Sequence, residues 1–448
     1  MRRSALRRFS GIATPDESCA LPTFELWRRE YRIGPPRTQC RGRGVAPGVP
    51  DMRIGIDASN LREGGGVTHL VHLLAAAEPA EHGVSRVVVW SSRNTLDQIA
   101  SRPWLDREHQ PLLDGRLPQR EYWRARVLPR LAAGKCDLVF TPGGGYPGRF
   151  LPCVTMFQNA LPFDSAESRR YGVSWQGLRN AMLRVVQTRG LVSASGVIFL
   201  THFSRDLLLR STGDLPGATC VIPHGVDQRF ALAPRLQRPI GAYSTDRPFR
   251  FLYVSKVDVY KHQWAVAEAV AMVRSRTIPI ALDLVGPAYA PALQRLSRAL
   301  RRVDASGEIV RYHGAVPFQD LPPYYHAADA LVFASTCETL SNILVEAMAA
   351  GLPIVCLRRG PMPEVLGEAA VFFDDERPAT IAAALAAFAL DVDARRRCSV
   401  MAYQRAQAYS WARCARETFA FLAQMASAVP RGLAGHPASA NPDRGDES

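Results

Sequence analysis

Short apolar runs rich in β-branched residues alternate along the chain with longer segments whose apolar residues recur at helical spacing. The runs predict strands that are buried on both faces, as in a parallel sheet. They lie at residues 53–57, 86–90, 136–140, 153–157, 196–200, 220–222, 251–255, 281–285, 310–312, 330–334 and 354–356. Helices are predicted at about residues 67–74, 119–128, 175–189, 204–209, 263–273, 340–350, 379–390 and 411–425. This alternation predicts an α/β fold whose parallel sheets are covered by helices.

The length of 448 residues suits two domains that each have their own core. Residues 234–248 are rich in Pro and Arg and lack periodicity, which is typical of a linker between domains. The apolar share of 47% and the charged share of 21% indicate a globular enzyme, and no apolar run is long enough for a transmembrane helix.

The first fifty residues are strongly basic, with ten Arg against four acidic residues, and they hold several Pro and Gly. They lack the apolar centre of a signal peptide, so we expect a disordered basic extension, with Met52 as an alternative start. A basic arm that contacts anionic lipid or nucleic acid is a second interpretation. Residues 427–448 are expected to be a disordered tail.

Nine cysteines are scattered without any C-x-x-C pair, and the histidines are equally scattered. An odd, dispersed set of cysteines predicts reduced and largely buried thiols in the cytoplasm. We expect no metal site.

The segment 328–356, ADALVFASTCETLSNILVEAMAAGLPIVC, predicts a strand, a polar turn, a helix and a second strand. Glu338 falls in the turn, and Glu346 is expected about two turns into the helix, whose first turn Thr339 or Ser341 can cap. Such a unit with two solvated glutamates is one interpretation. The other is a nucleotide site.

A helix N-terminus binds phosphate because its first N–H groups are unpaired and its dipole is positive. The backbone of Leu340, Ser341 and Asn342 can therefore hold a diphosphate. Glu346, roughly 8 Å further along the helix, would accept hydrogen bonds from ribose hydroxyls, and Glu338 would face a sugar.

Two glutamates separated by seven residues and followed by A-M-A-A-G-L-P-I-V resemble the signature of the retaining nucleotide-sugar glycosyltransferases of family 4. The resemblance implies the GT-B fold, in which two Rossmann-like parallel-sheet domains face each other across a cleft. It implies that Glu338 contacts the donor sugar and Glu346 the ribose. It also implies these boundaries: an acceptor domain at 52–230, a linker at 231–249, a nucleotide-sugar domain at 250–410, and a last helix at 411–426 that packs back on the first domain.

Two lysines follow the predicted strand 251–255. Lys256 and Lys261 are five residues apart and can neutralise a diphosphate, although the family has Arg at the first position, so Lys261 is the safer ligand. Two solvated lysines are the alternative. Gly286 and His313 follow later strands, in loops that commonly contact base and ribose in this family. Glu364 is expected to cap the helix that follows it.

The acceptor side is predicted from two loops of the first half. Gly64, Gly65 and Gly66 lie between the first strand and the first helix, where glycine permits close approach to a ligand, but the pattern is not that of a dinucleotide site. Gln158 and Asn159 replace a His-Asp or His-Glu pair of the family and can bind acceptor hydroxyls, or can form a simple Asn turn.

The helix predicted at 175–189 carries three arginines. Arg179, Arg184 and Arg189 are five residues apart, which spreads them around the helix, so we expect them to be solvated.

The resemblance implies a retaining transfer of a hexosyl unit, mannosyl among the candidates, from a nucleoside-diphosphate sugar to a hydroxyl of a growing glycan or lipid-linked acceptor. It implies no cofactor and no nucleic-acid partner. The expected location is the cytoplasm, with peripheral contact at the inner face of the membrane as an option. Rival functions are a nucleotide-sugar epimerase, a phosphorylase or a silent sugar-nucleotide-binding homologue.

Overall fold

The computed structural model describes residues 51–62, 64–145 and 152–428, and these residues fall in one compact unit. The predicted extension at 1–50 and residues 429–448 of the predicted tail lie outside the described residues. No helix of the described residues combines the length and the apolar character that crossing a membrane requires.

The first half of the chain forms a seven-stranded parallel sheet. Its strands are β1 (Met52–Asp57), β2 (Val84–Ser91), β3 (Leu105–His109), β4 (Leu138–Thr141), β5 (Cys153–Phe157), β6 (Gly196–Phe199) and β7 (Ala218–Val221). Their order is β3-β2-β1-β4-β5-β6-β7. The strand order therefore reverses between β1 and β4, and in open α/β sheets ligands bind at the carboxyl end of such a switch point.

The second half forms a six-stranded parallel sheet. Its strands are β8 (Phe249–Val254), β9 (Ile280–Val285), β10 (Val310–Tyr312), β11 (Ala330–Phe333), β12 (Ile354–Leu357) and β13 (Val371–Phe373), in the order β10-β9-β8-β11-β12-β13. The reversal here lies between β8 and β11. Every residue of β4, β5, β6, β11 and β12 is buried, which agrees with their mainly apolar sequences.

Helices flank both sheets and connect successive strands. In the first half they are α1 (Gly65–Ala75), α2 (Arg93–Leu96), α3 (Pro111–Asp114), α4 (Leu117–Tyr122), α5 (Leu128–Lys135), α6 (Ser165–Arg169), α7 (Trp175–Ser193) and α8 (His202–Thr212). In the second half they are α9 (Gln263–Arg274), α10 (Ala290–Val303), α11 (Pro322–Ala327), α12 (Asn342–Ala349), α13 (Met362–Leu366), α14 (Pro378–Leu390), α15 (Val392–Ala406) and α16 (Trp411–Ser427). The predicted α/β class with two parallel sheets is confirmed.

The last helix, α16, returns to the first sheet. A Cβ atom added to Gly196 in β6 would lie 2.9 Å from the Phe421 ring, and one added to Gly225 would lie 2.2 Å from the backbone nitrogen of Trp411. Both glycines therefore permit a close approach that a side chain would block. The helix ends at Ser427, close to the ends at 425 and 426 that periodicity and the resemblance predict.

The Pro- and Arg-rich segment between the sheets is held against the second one. The Arg235 guanidinium donates to the carbonyl of His326 at 2.6 Å, and the Tyr243 hydroxyl donates to Asp329 at 2.8 Å. Between β7 and β8 its regular structure, as described, is limited to the short 3₁₀ turns Gln228–Phe230 and Ile240–Ala242.

The single helix predicted at 119–128 is wrong in detail, because α4 and α5 are joined by a π-helical turn at Trp123–Val127. Pro129 has no N–H to donate to the carbonyl of Ala125, a bond that an uninterrupted α-helix requires.

Candidate active site

Lys261 and Glu338 form an ion pair at the switch point of the second sheet. Lys261 follows β8 and Glu338 follows β11, and the Lys261 ammonium bonds the Glu338 carboxylate. Both side chains are largely buried, and the Tyr253 hydroxyl fixes the loop by donating to the Lys261 carbonyl at 2.6 Å. The two residues predicted separately therefore act as one charged unit at the edge where α/β proteins bind ligands.

Lys256 is not part of this unit. Its side chain is about half exposed, and its ammonium lies 3.4 Å from the Asp258 carboxylate. The structure thus distinguishes the two predicted lysines, with Lys261 buried in the site and Lys256 at its edge.

The helix N-terminus beside Glu338 has no side-chain cap. Helix α12 begins at Asn342, and its N-cap residue Ser341 makes no side-chain capping bond. Among the described residues none accepts a hydrogen bond from the N–H groups of Leu340, Ser341 or Asn342. The predicted cap is therefore wrong: the buried Ser341 hydroxyl has no partner in the described part of the chain, and the Thr339 hydroxyl instead donates to the Gln158 carbonyl at 3.2 Å.

Glu346 lies early in the second turn of α12, nearer the N-terminus than predicted, because Leu340 and Ser341 stay outside the helix. Its carboxyl is buried and accepts a hydrogen bond from the Tyr325 hydroxyl at 2.5 Å. Burial raises the pKa of Glu346 to about 7, although the Tyr325 bond opposes that shift. Glu346 also lines a small pocket together with Asn342, His72 and Trp411.

The glycine loop before α1 lies against this helix N-terminus. A Cβ atom on Gly65 would lie 3.3 Å from the Asn342 amide nitrogen, and one on Gly66 would lie 3.5 Å from the Gln158 amide oxygen. Gly64 is the N-cap of α1 with φ of 74°, a left-handed conformation that favours glycine. The structure therefore brings the glycine loop, Gln158 and the start of α12 together.

The neighbouring Asn159 forms a simple Asn turn, the second of its two predicted roles. Its side-chain oxygen accepts a hydrogen bond from the N–H of Leu161 at 3.3 Å, which makes an Asn turn, and the residue is exposed.

Gly286 and His313 lie in the loops after β9 and β10. A Cβ atom on Gly286 would lie 2.2 Å from the Ser255 carbonyl, so the loop after β9 packs directly against the loop that begins at Lys256. The His313 ring lies 2.8 Å from the Asp283 carboxylate. This internal hydrogen bond occupies one ring nitrogen of His313. A role for His313 in binding the base of the donor therefore stays a prediction.

Glu364 caps a different helix from the one predicted. Its two carboxylate oxygens accept hydrogen bonds of 2.8 Å from the N–H groups of His202 and Phe203, at the start of α8. Glu364 thus links the second-sheet half to a helix of the first half. Sequence gives no signal for this contact, because the partners are about 160 residues apart.

Sequence reasoning also missed a basic pocket beside the glycine loop. It is lined by Arg62, Arg116 and Arg120, together with Asp114. The Nε atoms of Arg62 and Arg120 are buried and have no hydrogen-bond partner among the described residues. Burial and the nearby charge of Arg62 lower the pKa of Arg120. Arg62 lies in the loop after β1, whereas Arg116 precedes α4 and Arg120 lies within it, and this separation in the chain explains why spacing did not reveal the pocket.

Residues 248–391 match the family described as glycosyl transferases group 1. The chain is 33% identical over 109 residues to the O-antigen chain mannosyltransferase B of Escherichia coli, covering 24% of this chain and 29% of that protein. It is 29% identical over 219 residues to a GDP-mannose-dependent alpha-(1-6)-phosphatidylinositol monomannoside mannosyltransferase of Mycolicibacterium smegmatis, covering 45% of this chain and 53% of that protein. The chain thus spans about half or less of the length of these relatives.

The described fold is shared with solved structures over most of the chain. The Anabaena protein Alr3699/HepE, solved in complex with UDP and glucose, superposes with a TM-score of 0.59 at 18% identity, covering 83% of this chain and 100% of that one. The fold is GT-B, as predicted, and the second-sheet half carries the region that matches glycosyl transferases group 1.

Proposed function

We propose that the protein is a retaining glycosyltransferase that moves a hexosyl unit from a nucleoside-diphosphate sugar to a hydroxyl. The observation that carries this proposal is the buried Lys261–Glu338 pair beside the uncapped N-terminus of α12. The match of residues 248–391 to glycosyl transferases group 1 supports the reaction class. The mannosyltransferase names of two relatives make mannose the first donor sugar to test.

The donor diphosphate would bind at the start of α12. The N–H groups of Leu340, Ser341 and Asn342 have no acceptor among the described residues and lie at the positive end of the helix dipole, and Lys261 adds a full positive charge. Negative charge grows on the diphosphate as the bond from the anomeric carbon to the phosphate oxygen breaks. These groups therefore lower the barrier by electrostatic stabilisation.

The acceptor hydroxyl would attack from the same face that the diphosphate leaves. The new bond joins its oxygen to the anomeric carbon, and its proton passes to the departing phosphate oxygen. This sequence requires no protein base, which fits the presence of Gln158 where the family has His. Glu338 would hold Lys261 in position and contact the donor sugar.

Glu346 would accept hydrogen bonds from the ribose. It lies about one turn from the phosphate-binding N–H groups, roughly the length that separates a ribose from its diphosphate. Its burial and its place in the pocket with Asn342 support this role.

The acceptor would enter along the glycine loop. Gly65 and Gly66 allow this loop to lie close to Asn342 and Gln158, and the pocket of Arg62, Arg116 and Arg120 favours an acceptor that carries negative charge, such as a lipid-linked phosphate. The smegmatis relative is named for an acceptor with a phosphatidyl group, which supports the same choice.

A panel of UDP- and GDP-sugars tests the proposal, with release of nucleoside diphosphate as the readout and proton NMR for the anomeric configuration. Retention in the product, with faster release when an acceptor is added, is the expected result. Donor rearrangement without any acceptor would indicate an epimerase. A requirement for inorganic phosphate and pyridoxal phosphate would indicate a phosphorylase. Binding of donor without turnover would identify a silent homologue.

We also propose that turnover needs no divalent cation, because Lys261 and the helix N–H groups supply the positive charge. Activity in excess chelator should equal activity in magnesium. Loss of turnover in chelator, restored by magnesium or manganese, would contradict this part of the mechanism.

A further inference from the structure

Helix α7 carries a large apolar surface that the described chain does not cover. Six of its side chains, Trp175, Leu178, Met182, Val185, Val186 and Val192, are between 38% and 76% exposed. We call them the exposed stripe. Single exposed apolar residues are ordinary, but a contiguous apolar patch marks a binding surface.

The six residues of the stripe occupy one face of the helix, an arc of about 120° at 100° per residue. Trp175, Leu178, Met182, Val185 and Val192 are separated by three, four, three and seven residues, which places them on one face at 100° per residue. The buried residues Asn180, Gly190 and Leu191 mark the face that packs on the protein. At 100° per residue they lie on the other side of the helix, so the stripe points away from the molecule.

Elsewhere the described chain has no comparable surface. The other exposed large apolar side chains outside this region are dispersed over several elements: Leu117, Tyr122, Leu236, Met272, Leu390 and Val400. Because the exposed apolar side chains are concentrated on one helix, we expect this helix to bind a partner.

Charge indicates which partner fits. No acidic residue occurs between Tyr171 and Arg205, whereas Arg179, Arg184 and Arg189 lie on the helix and are exposed. A helix with an apolar face that includes Trp, with arginines around it and no acid, is typical of helices that lie in a membrane interface. The indole of Trp175 suits the headgroup level, where its ring is buried and its N–H stays hydrated.

We propose that the exposed stripe binds the surface of an anionic lipid bilayer, with α7 lying in the plane of the headgroups. Arg179 and Arg189, which lie on or beside the face of the stripe at 100° per residue, then contact lipid phosphates, whereas Arg184 lies on the other side of the helix and contributes only long-range charge. A second copy of the chain fits less well, because apposition of two such helices would bring six arginines together without an acid on either.

The position of α7 relates this surface to the candidate site. A Cβ atom on Gly145, in the loop after β4, would lie 3.2 Å from the Cα of Gln187 in α7. That loop is at the switch point of the first sheet, on the acceptor side of the site. If the proposed function holds, membrane docking places this side near a lipid-linked acceptor, but the docking itself requires no transfer activity.

Vesicle co-sedimentation of the full chain tests the proposal. The variant Trp175→Gln/Leu178→Gln/Met182→Gln removes the N-terminal half of the stripe, and Leu236→Gln/Leu390→Gln/Val400→Gln is a matched control at exposed apolar positions elsewhere. The wild type should bind vesicles of phosphatidylcholine with 30% phosphatidylglycerol. The stripe variant should bind them more than about tenfold more weakly, and the control should match the wild type.

A second comparison isolates the charge. Arg179→Gln/Arg184→Gln/Arg189→Gln and Arg298→Gln/Arg301→Gln/Arg311→Gln change the net charge equally, and all six arginines are exposed. Only the first set should weaken binding to anionic vesicles and reduce its salt dependence. Because residues 1–50 are present in every variant, any contribution of that basic segment is common to all.

Equal vesicle binding by the stripe variant and the wild type, with unchanged circular dichroism, would overturn the proposal. So would equal binding to vesicles of phosphatidylcholine alone, or a wild-type dimer that the stripe variant converts to monomer without any vesicle affinity. Nucleoside-diphosphate titration separates the two proposals, since failure of the membrane proposal leaves nucleotide binding intact and failure of the function does not alter vesicle binding.

Discussion

Lys261, which is paired with Glu338 ahead of α12, and Glu346, which lies in the second turn of α12, are in different electrostatic environments. Lys261 is compensated by the adjacent carboxylate of Glu338, whereas Glu346 is buried with a neutral phenol as its hydrogen-bond donor. For this reason burial dominates at Glu346 and raises its pKa to about 7. The sequence predicted all three as site residues, but not the pairing, since residues 261 and 338 lie far apart in the chain.

Substitution of Glu346 should weaken nucleotide binding. Glu346→Gln removes the charged form that accepts hydrogen bonds from ribose, so the affinity for nucleoside diphosphate should fall by roughly 1 to 3 kcal/mol. Calorimetric titration measures this, with the exposed Glu308→Gln as the control. If Glu346→Gln bound nucleoside diphosphate as tightly as the wild type does, Glu346 would not be the residue that binds the ribose.

The same substitution should change the pH dependence of stability. The pKa of Glu346 is raised from 4.5 to about 7 on folding, so its contribution is fully present below pH 4.5 and is lost as the pH rises through 7. Relative to Glu346→Gln, the wild type should lose on the order of 3 kcal/mol of unfolding free energy between pH 4.5 and pH 8. Urea unfolding at both pH values measures the difference, and parallel profiles for the two proteins would contradict it.

At the scale of elements, strands were predicted better than helices and connections. Short apolar runs identified most strands because interior parallel strands are buried on both faces. Strand β3, LDREH, was missed because it lies at the sheet edge and is mostly polar. Helix α15 was missed because its arginines mask its periodicity, one of them, Arg395, being fully buried and bonded to the carbonyl of Phe388.

Removal of Glu364 should destabilise the link between α8 and α13. Glu364→Ala leaves the N–H groups of His202 and Phe203 without their acceptor, which should lower the free energy of unfolding by about 1 to 2 kcal/mol. Glu368→Ala, an exposed neighbour, should have little effect. Chemical denaturation of the three proteins decides the matter, and equal stability for all three would show that the cap contributes nothing.

At the scale of the whole molecule, two sheets each present a switch point, and residues from both meet at the start of α12. The glycine loop and Gln158 come from the first half, and Asn342 comes from the second. The sequence alone indicated the residues of both halves as candidate site residues. Hydrophobic periodicity, however, does not specify the order of the strands in a sheet or which loops lie together. The domain boundaries and the individual roles of these residues remain predictions.

The central claim is that Lys261 stabilises the departing diphosphate, and the turnover number of Lys261→Ala tests it most directly, measured with the best donor of the panel. We expect kcat to fall by roughly 10² to 10³, with a smaller change in donor affinity. Lys256→Ala should lose much less, because Lys256 is half exposed and lies beside Asp258. Near-normal turnover by a folded Lys261→Ala variant would contradict the account.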